Sequence, residues 1–444
     1  MQDKLTKFFQ RIGPFVKREI RWFIPGMGVK RYLLLILAGT SFLSIGIAYI
    51  ILDYYRTAPD TWWLSFFDIV TLRFLLDRTV RAILFGLAGF GLTVFGIYGL
   101  NRALIKPFIP RGQNFTEAFA AYRRRERGPR IVVVGGGTGL SSLLRGLKSY
   151  TSNLTAIVTV ADDGGSSGKI RRKIGILPPG DLRNCLTALS NDEDLMGKIF
   201  QYRFASDSGL EGHSLGNLFI TALTEITGSF ETAIAESGRV LAVQGQVLPS
   251  TLHDVRLAAD IAAVEGDILV SGESSIPETP GKVNRVWLEP NNPLAYPPSI
   301  QAILNADLIV IGPGSLYTSL IPNLLVPDLT EALRASRAQK FFVCNVASQP
   351  GETDRYSTAD YVHTIENHVH GRIFDLVISN DRNDLPLPEG IEYVMTDDSF
   401  SMSYPLYNSD LIDEKNPTRH DSVKLARAIM DIYFEKTGPL MYKD

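Results

Sequence analysis

Cysteine is nearly absent from this sequence: its 444 residues hold two, Cys185 and Cys344. Neither has metal-ligand spacing, so a disulfide framework is not expected and a reducing compartment fits. Charge is missing from two long stretches. Residues 32–52, YLLLILAGTSFLSIGIAYIIL, run for 21 positions without a charged side chain, and residues 82–100, AILFGLAGFGLTVFGIYGL, for 19. Either is long enough to cross a hydrocarbon core. The first is too long and too far from the N-terminus for a cleaved signal peptide. An excess of positive charge is missing from the remainder. Residues 131–444 carry 25 Lys+Arg against 39 Asp+Glu. That balance argues against a nucleic-acid partner, because phosphate neutralisation needs a basic face. No internal repeat or low-complexity tract is evident.

What is present in the first 130 residues is basic: 20 Lys+Arg against 8 Asp+Glu. Residues 1–31 hold eight of these cations and 101–130 another eight. The connector 53–81 holds four, offset by Asp53, Asp60, Asp68 and Asp77. This asymmetry predicts a two-pass membrane protein with both ends cytoplasmic and the connector external. Trp62, Trp63, Phe66 and Phe67 suit an interfacial aromatic belt. The expected organisation is a basic interfacial segment 1–31, a transmembrane hairpin 32–100, a basic linker 101–130 and a soluble body 131–444.

The body reads as α/β. RIVVVGGGTGLSSLLRGLKSY is a buried strand, a glycine turn and a helix with Leu140, Leu143, Leu144 and Leu147 on one face. LTAIVTV supplies the next strand, making a right-handed βαβ unit with a parallel sheet. ADLIVIGPG, KFFVCNV and FDLVISND add strands that end in polar residues. Ligands of such sheets bind at the carboxyl ends of the strands, near a topological switch point. Residues 245–295 contain shorter β-like pieces and predict an antiparallel insertion.

The loops after these strands hold the chemistry. Gly135, Gly136, Gly137 and Gly139 can turn backbone amides toward an anion at a helix N-terminus. A dinucleotide fingerprint in either frame needs a third glycine where Leu140 or Ser142 stands. In VTVADDGGSSGKIRRK, residues 158–173, a phosphate-binding Walker loop is one residue short between Gly164 and Gly168. Ile170 also takes its hydroxyl position. Asp181 is expected to cap a helix whose first turn carries Arg183 and Asn184. His213 and Asn217 are four apart and would share a helix face if that helix begins early enough. Gly312, Gly314 and Ser315 form a second candidate anion nest. Asp421 or Ser422 should cap the last helix, with Arg419 just before it able to reach a phosphate or carboxylate.

Six ordered blocks resemble the gluconeogenesis-factor (YvcK-like) family, related to 2-phospho-L-lactate transferase. They are VVVGGGTGLSSLLRGLK, IVTVADDGGSSGKIRRKIGILPPGDLRN, FQYRFASDSGLEGHSLGNLF, ADLIVIGPGSLYTSLIPNLLVP, NVASQPGETD and RHDSVKLA. The resemblance implies an α/β, Rossmann-like parallel sheet with a small β insertion, here preceded by the membrane hairpin. It implies binding of a UDP-sugar such as UDP-N-acetylglucosamine and a role in cell shape and wall-precursor allocation. Typical members begin near the first glycine strand, so the hairpin is a departure.

On this reading Gly135, Gly136, Gly137, Thr138 and Gly139, with Gly164, Gly165, Ser166 and Ser167, meet the phosphates. Asp162 and Asp163 hold ribose hydroxyls or a divalent cation such as magnesium. Lys169, Arg171 and Arg172 supply charge or pair with acids. Asp181, Asn184, His213, Asn217, Gly312, Gly314, Ser315 and Arg419 complete the ligand site, Arg419 contacting the UDP-sugar. A homo-oligomer is expected. The alternative is a phospholactyl-type transferase acting on a deazaflavin-like acceptor. There Asp162 or Asp163 would bind the metal and His213 would accept the proton.

Overall fold

The computed structural model describes residues 125–438 apart from 192, 206–208 and 397–403, with nine single positions between 40 and 94. Apart from those positions, each helical, the segment 1–31, the hairpin 32–100 and most of the linker lie outside the described residues. Among the described residues no helix is long and apolar enough to cross a membrane. Arg124–Met441 is a compact unit.

The linker's final residues belong to this body. Arg130 donates to Asp307 through its backbone amide (2.8 Å), Nε (3.1 Å) and Nη2 (2.7 Å). The amide of Ser152 donates to the Arg125 carbonyl at 2.9 Å. From there the chain enters β1 (Ile131–Gly135), the glycine turn and α1 (Gly137–Leu147). Then come β2 (Leu154–Val158), α2 (Gly165–Ile174), α3 (Gly180–Leu189) and α4 (Glu193–Gln201). Next are α5 (Leu215–Thr227), α6 (Phe230–Val240) and β3 (Gln246–Pro249). The insertion is β4 (Arg256–Ala263), β5 (Gly266–Ser271) and β6 (Lys282–Glu289).

After α7 (Pro297–Asn305) and β7 (Leu308–Ile311), a π-helical turn, Leu316–Leu320, leads into α8 (Ile321–Leu324). The rest is α9 (Pro327–Ala335), β8 (Gln339–Val343), α10 (Thr358–Val369), β9 (Leu376–Asn380) and β10 (Leu406–Ser409). The short hairpin β11 (Ile412–Asp413) and β12 (Asn416–His420) precedes α11 (Ser422–Thr437).

Seven strands form one parallel sheet in the order β10-β9-β8-β7-β1-β2-β3. Every residue of β1, β2, β7 and β9 is buried. Continuous buried runs of this kind are what a sheet covered on both faces requires. The leucine stripe of α1 is fully buried, and α1 packs against α3 and α11. The strand order grows outward in both directions from the β1–β7 boundary, which is the topological switch point of a Rossmann-like fold. The antiparallel insertion is real, in the order β5-β4-β6, but it starts at Arg256. The strand expected with it at 246–249 instead extends the main sheet beside β2.

Candidate functional site

A cleft of ≈ 470 Å³ opens at the switch point, lined by the loops after β1, β7 and β8 and by the end of β12. The β1 loop contributes Gly136, Gly137, Thr138 and Gly139. The residue at the N-cap of helix α1 is Gly136, which has no side chain to cap it, and the first turn holds no acid. The N-terminal amides and the positive end of the helix dipole are thus available to an anion. The Gly137 amide is the exception, donating to Asp181 Oδ2 at 2.8 Å. Glycine is required by close approach: a Cβ on Gly139 would lie 2.7 Å from the Pro313 carbonyl oxygen, and one on Gly136 2.7 Å from Asp181 Oδ2.

Gly314 and Ser315 also line this cleft, with Gly312 below them at the end of β7. Their loop is a wall rather than the expected nest of free amides. The Gly314 amide donates to Asn345 Oδ1 at 3.2 Å, and Ser315 Oγ accepts from Gln349 Nε2 at 2.7 Å. Arg419 stands on β12, exposed and lining the cleft. It is the sole Lys or Arg among the lining residues, and no protein acid pairs with it among the described residues. Its neighbour His420 is buried, with Nε2 3.1 Å from the Cys344 carbonyl oxygen. Burial pulls its pKa down to about 4, so it is neutral and donates to that carbonyl.

The other expected residues assemble beside this cleft rather than in its wall. Asp162, Asp163, Gly164, Gly165, Ser166 and Ser167 follow β2 and open α2. Asp162 Oδ1 accepts from the Gly164 amide at 2.9 Å, and Ser167 Oγ accepts from the Gly180 amide at 3.1 Å. Asp163 Oδ1 accepts from the Ser274 amide at 2.9 Å, tying the insertion to this loop. Asp181 does not cap its own helix. Pro179 occupies that position, and the Asp181 carboxylate reaches 44 residues back to cap α1.

His213 and Asn217 do not share a helix face, because α5 begins at Leu215 with Ser214 as its N-cap. They meet at Ser166 instead: His213 Nδ1 shares a hydrogen bond with its Oγ at 3.1 Å, and Asn217 Nδ2 donates to it at 3.1 Å. Arg183, buried, donates to Ser214, to Asn217 Oδ1 at 2.9 Å and to Asn184 Oδ1 at 2.8 Å. Arg171 is likewise internal, bonded to Asp254 at 2.5 Å and to the Val255 carbonyl at 2.6 Å.

Negative charge is crowded here. Burial, then the Asp162 charge, pushes Asp181 up to about 6. Glu273, from the insertion, is pushed up to about 8 by burial and then by Asp162, Asp181 and Asp163. Burial also raises Asp162. No group of three His, Cys, Asp or Glu placed to hold a metal ion occurs among the described residues. Asp162 and Asp163 fit the other magnesium arrangement, in which one or two carboxylates hold the ion and nucleotide phosphates complete its shell. A cation there would relieve the mutual repulsion of these acids.

Residue-by-residue reading missed the β8 loop, which lines the cleft with Asn345, Gln349 and Glu352. The segment NVASQPGETD was legible as a strand end, but nothing local told its buried glutamate from a solvated one.

The domain family described as 2-phospho-L-lactate transferase CofD matches residues 131–433. The gluconeogenesis factor of Bacillus subtilis is 44% identical over 317 residues, covering 69% of this chain and 99% of its own. That of Listeria monocytogenes is 44% identical over 321 residues, covering 71% and 99%. A relative from Nostoc sp. is 42% identical over 439 residues, covering 94% of this chain and 93% of its own, so its match extends into the basic head. A crystal structure of a Bacillus halodurans protein of the UPF0052 family superposes with a TM-score of 0.63 at 43% identity. It covers 68% of this chain and 99% of that one. The chain belongs to the gluconeogenesis-factor family and carries its CofD-type domain.

Proposed function

We propose that this protein binds a UDP-sugar, of the UDP-N-acetylglucosamine type, in the switch-point cleft and regulates carbon allocation to wall precursors and cell shape without turning the ligand over. The observation that carries the reading is the pairing, across one cleft, of the α1 N-terminus, where Asp181 takes up the Gly137 amide, with Arg419, which no acid pairs among the described residues. Both favour an anion, and a diphosphate spans two such donors. The basic, two-span head would hold the body at the cytoplasmic membrane face. Calorimetry of the full-length chain in detergent with UDP-N-acetylglucosamine, followed by mass spectrometry of the recovered nucleotide, tests the proposal. Binding with intact ligand is expected. Release of UMP or UDP with transfer of the sugar would overturn the sensor reading.

A second reading, a phospholactyl-type transferase, draws on the polar cluster beside the cleft. His213 has a lowered pKa from burial and from nearby Lys169 and Lys173, so it is neutral near pH 7 and suited to accept a proton from an acceptor hydroxyl. A magnesium ion on Asp162 or Asp163 would supply charge stabilisation at the leaving phosphate. Incubation with a deazaflavin acceptor and a phospholactyl nucleotide separates the two readings. A phospholactylated product favours the enzyme.

A further inference from the structure

One residue of the cleft wall is chemically out of place. Glu352 lines a cleft whose other features favour anions, yet it is a carboxylic acid and only 8% exposed. Its Oε1 accepts from Thr318 Oγ1 at 3.2 Å, while its Oε2 is buried without a hydrogen-bond partner among the described residues. A buried acceptor left unpaired costs the protein stability, and such groups are kept where something else pairs with them. Arg419, the one Lys or Arg among the cleft's lining residues, forms no ion pair with it among the described residues.

The chemistry of Oε2 narrows the partner. Burial raises the Glu352 carboxyl to about 7, so acid and carboxylate forms coexist near neutral pH. Glu273 is the nearby titratable group, and the Tyr317 and Tyr361 phenols lie within electrostatic range of this carboxyl. A phosphate oxygen can pair with Oε2 only when that oxygen carries the proton, and an N–H pairs well with it only when it does not. A hydroxyl satisfies both, donating to one and accepting from the other.

We propose that Glu352 reads the glycosyl part of the ligand, its free carboxyl oxygen pairing with a sugar hydroxyl while Arg419 and the α1 amides take the diphosphate. This rests on the nucleotide-sugar reading above and adds the residue that tells a nucleotide sugar from a bare nucleotide.

The test is calorimetry of the full-length protein with two probes, UDP-N-acetylglucosamine and UDP. Glu352→Met removes the hydrogen bond at nearly constant length, and Glu352→Gln retains one to a hydroxyl. The methionine variant should bind UDP-N-acetylglucosamine about ten- to a hundredfold more weakly while binding UDP as the parent does, and the glutamine variant should recover most of the loss. Equal weakening toward both probes, or no weakening toward either, overturns the assignment of Glu352. If the unmodified protein binds neither probe, the nucleotide reading itself fails, an outcome distinct from the other two.

Discussion

Replacing Arg419 by alanine should separate binding from folding. The side chain is exposed on the short β12 strand, lines the cleft and has no acidic partner among the described residues. Its removal should therefore leave the ligand-free fold almost untouched. Surface substitutions away from pairs and caps fall within about 0.5 kcal/mol, a melting shift of roughly 2 °C or less for a domain of this size.

Binding should respond differently. A hydrogen bond to a charged group contributes about 1.5–3 kcal/mol, which converts to an affinity loss of about ten- to a hundredfold for UDP-N-acetylglucosamine. Because the guanidinium is solvent-facing, the difference between parent and variant should shrink as salt is added. Arg419→Lys should recover the charge but not the bidentate fork, and so only part of the affinity. Calorimetry at two ionic strengths, with a melting curve of each ligand-free protein, reads all of this. Unchanged affinity in Arg419→Ala would place the ligand elsewhere. A large drop in ligand-free melting temperature would make Arg419 a structural residue and refute the reasoning.

Gly139→Ala should lower the unfolding free energy by about 1–3 kcal/mol and weaken nucleotide binding, because its Cβ would meet backbone, the Pro313 carbonyl at 2.7 Å; a variant that melts and binds normally would show that the two loops are not held together. Burial and Asp162 raise the Asp181 carboxyl from 3.8 to about 6, so its bound proton favours the fold below about pH 4 and that contribution is lost as pH rises through about 6. Asp181→Asn keeps an oxygen for the Gly137 amide without the charge, so its stability relative to the parent should increase between about pH 4 and about pH 6 and level off above that, as urea midpoints would read. A pH-independent difference would mean that the carboxyl is solvated. A cysteine at Ala58 should react with an impermeant thiol reagent on intact cells, and one at Thr116 should not; the reverse labelling overturns the proposed membrane orientation.

What was legible in the sequence was local. The valine run of β1, the glycine turn and the leucine stripe of α1 specify their elements through period and turn chemistry, and the structure has them in place. Asp421 was readable as a cap and does accept from the amides of Val423 and Lys424. What local pattern cannot carry is a partner far along the chain. Asp181 looked like the cap of its own helix but serves the helix that starts 44 residues earlier. Gly314 looked like an anion donor, but its amide faces Asn345, 31 residues on. Glu352 was hidden for a related reason: its interest lies in burial without a partner, a property of the packed chain.

The most direct test is an experimental structure of the protein with UDP-N-acetylglucosamine bound. Density for the diphosphate within hydrogen-bonding reach of the Thr138 and Gly139 amides and the Arg419 guanidinium is the predicted result. A nucleotide seated instead against Ser166 and His213, with the switch-point cleft empty, would contradict it.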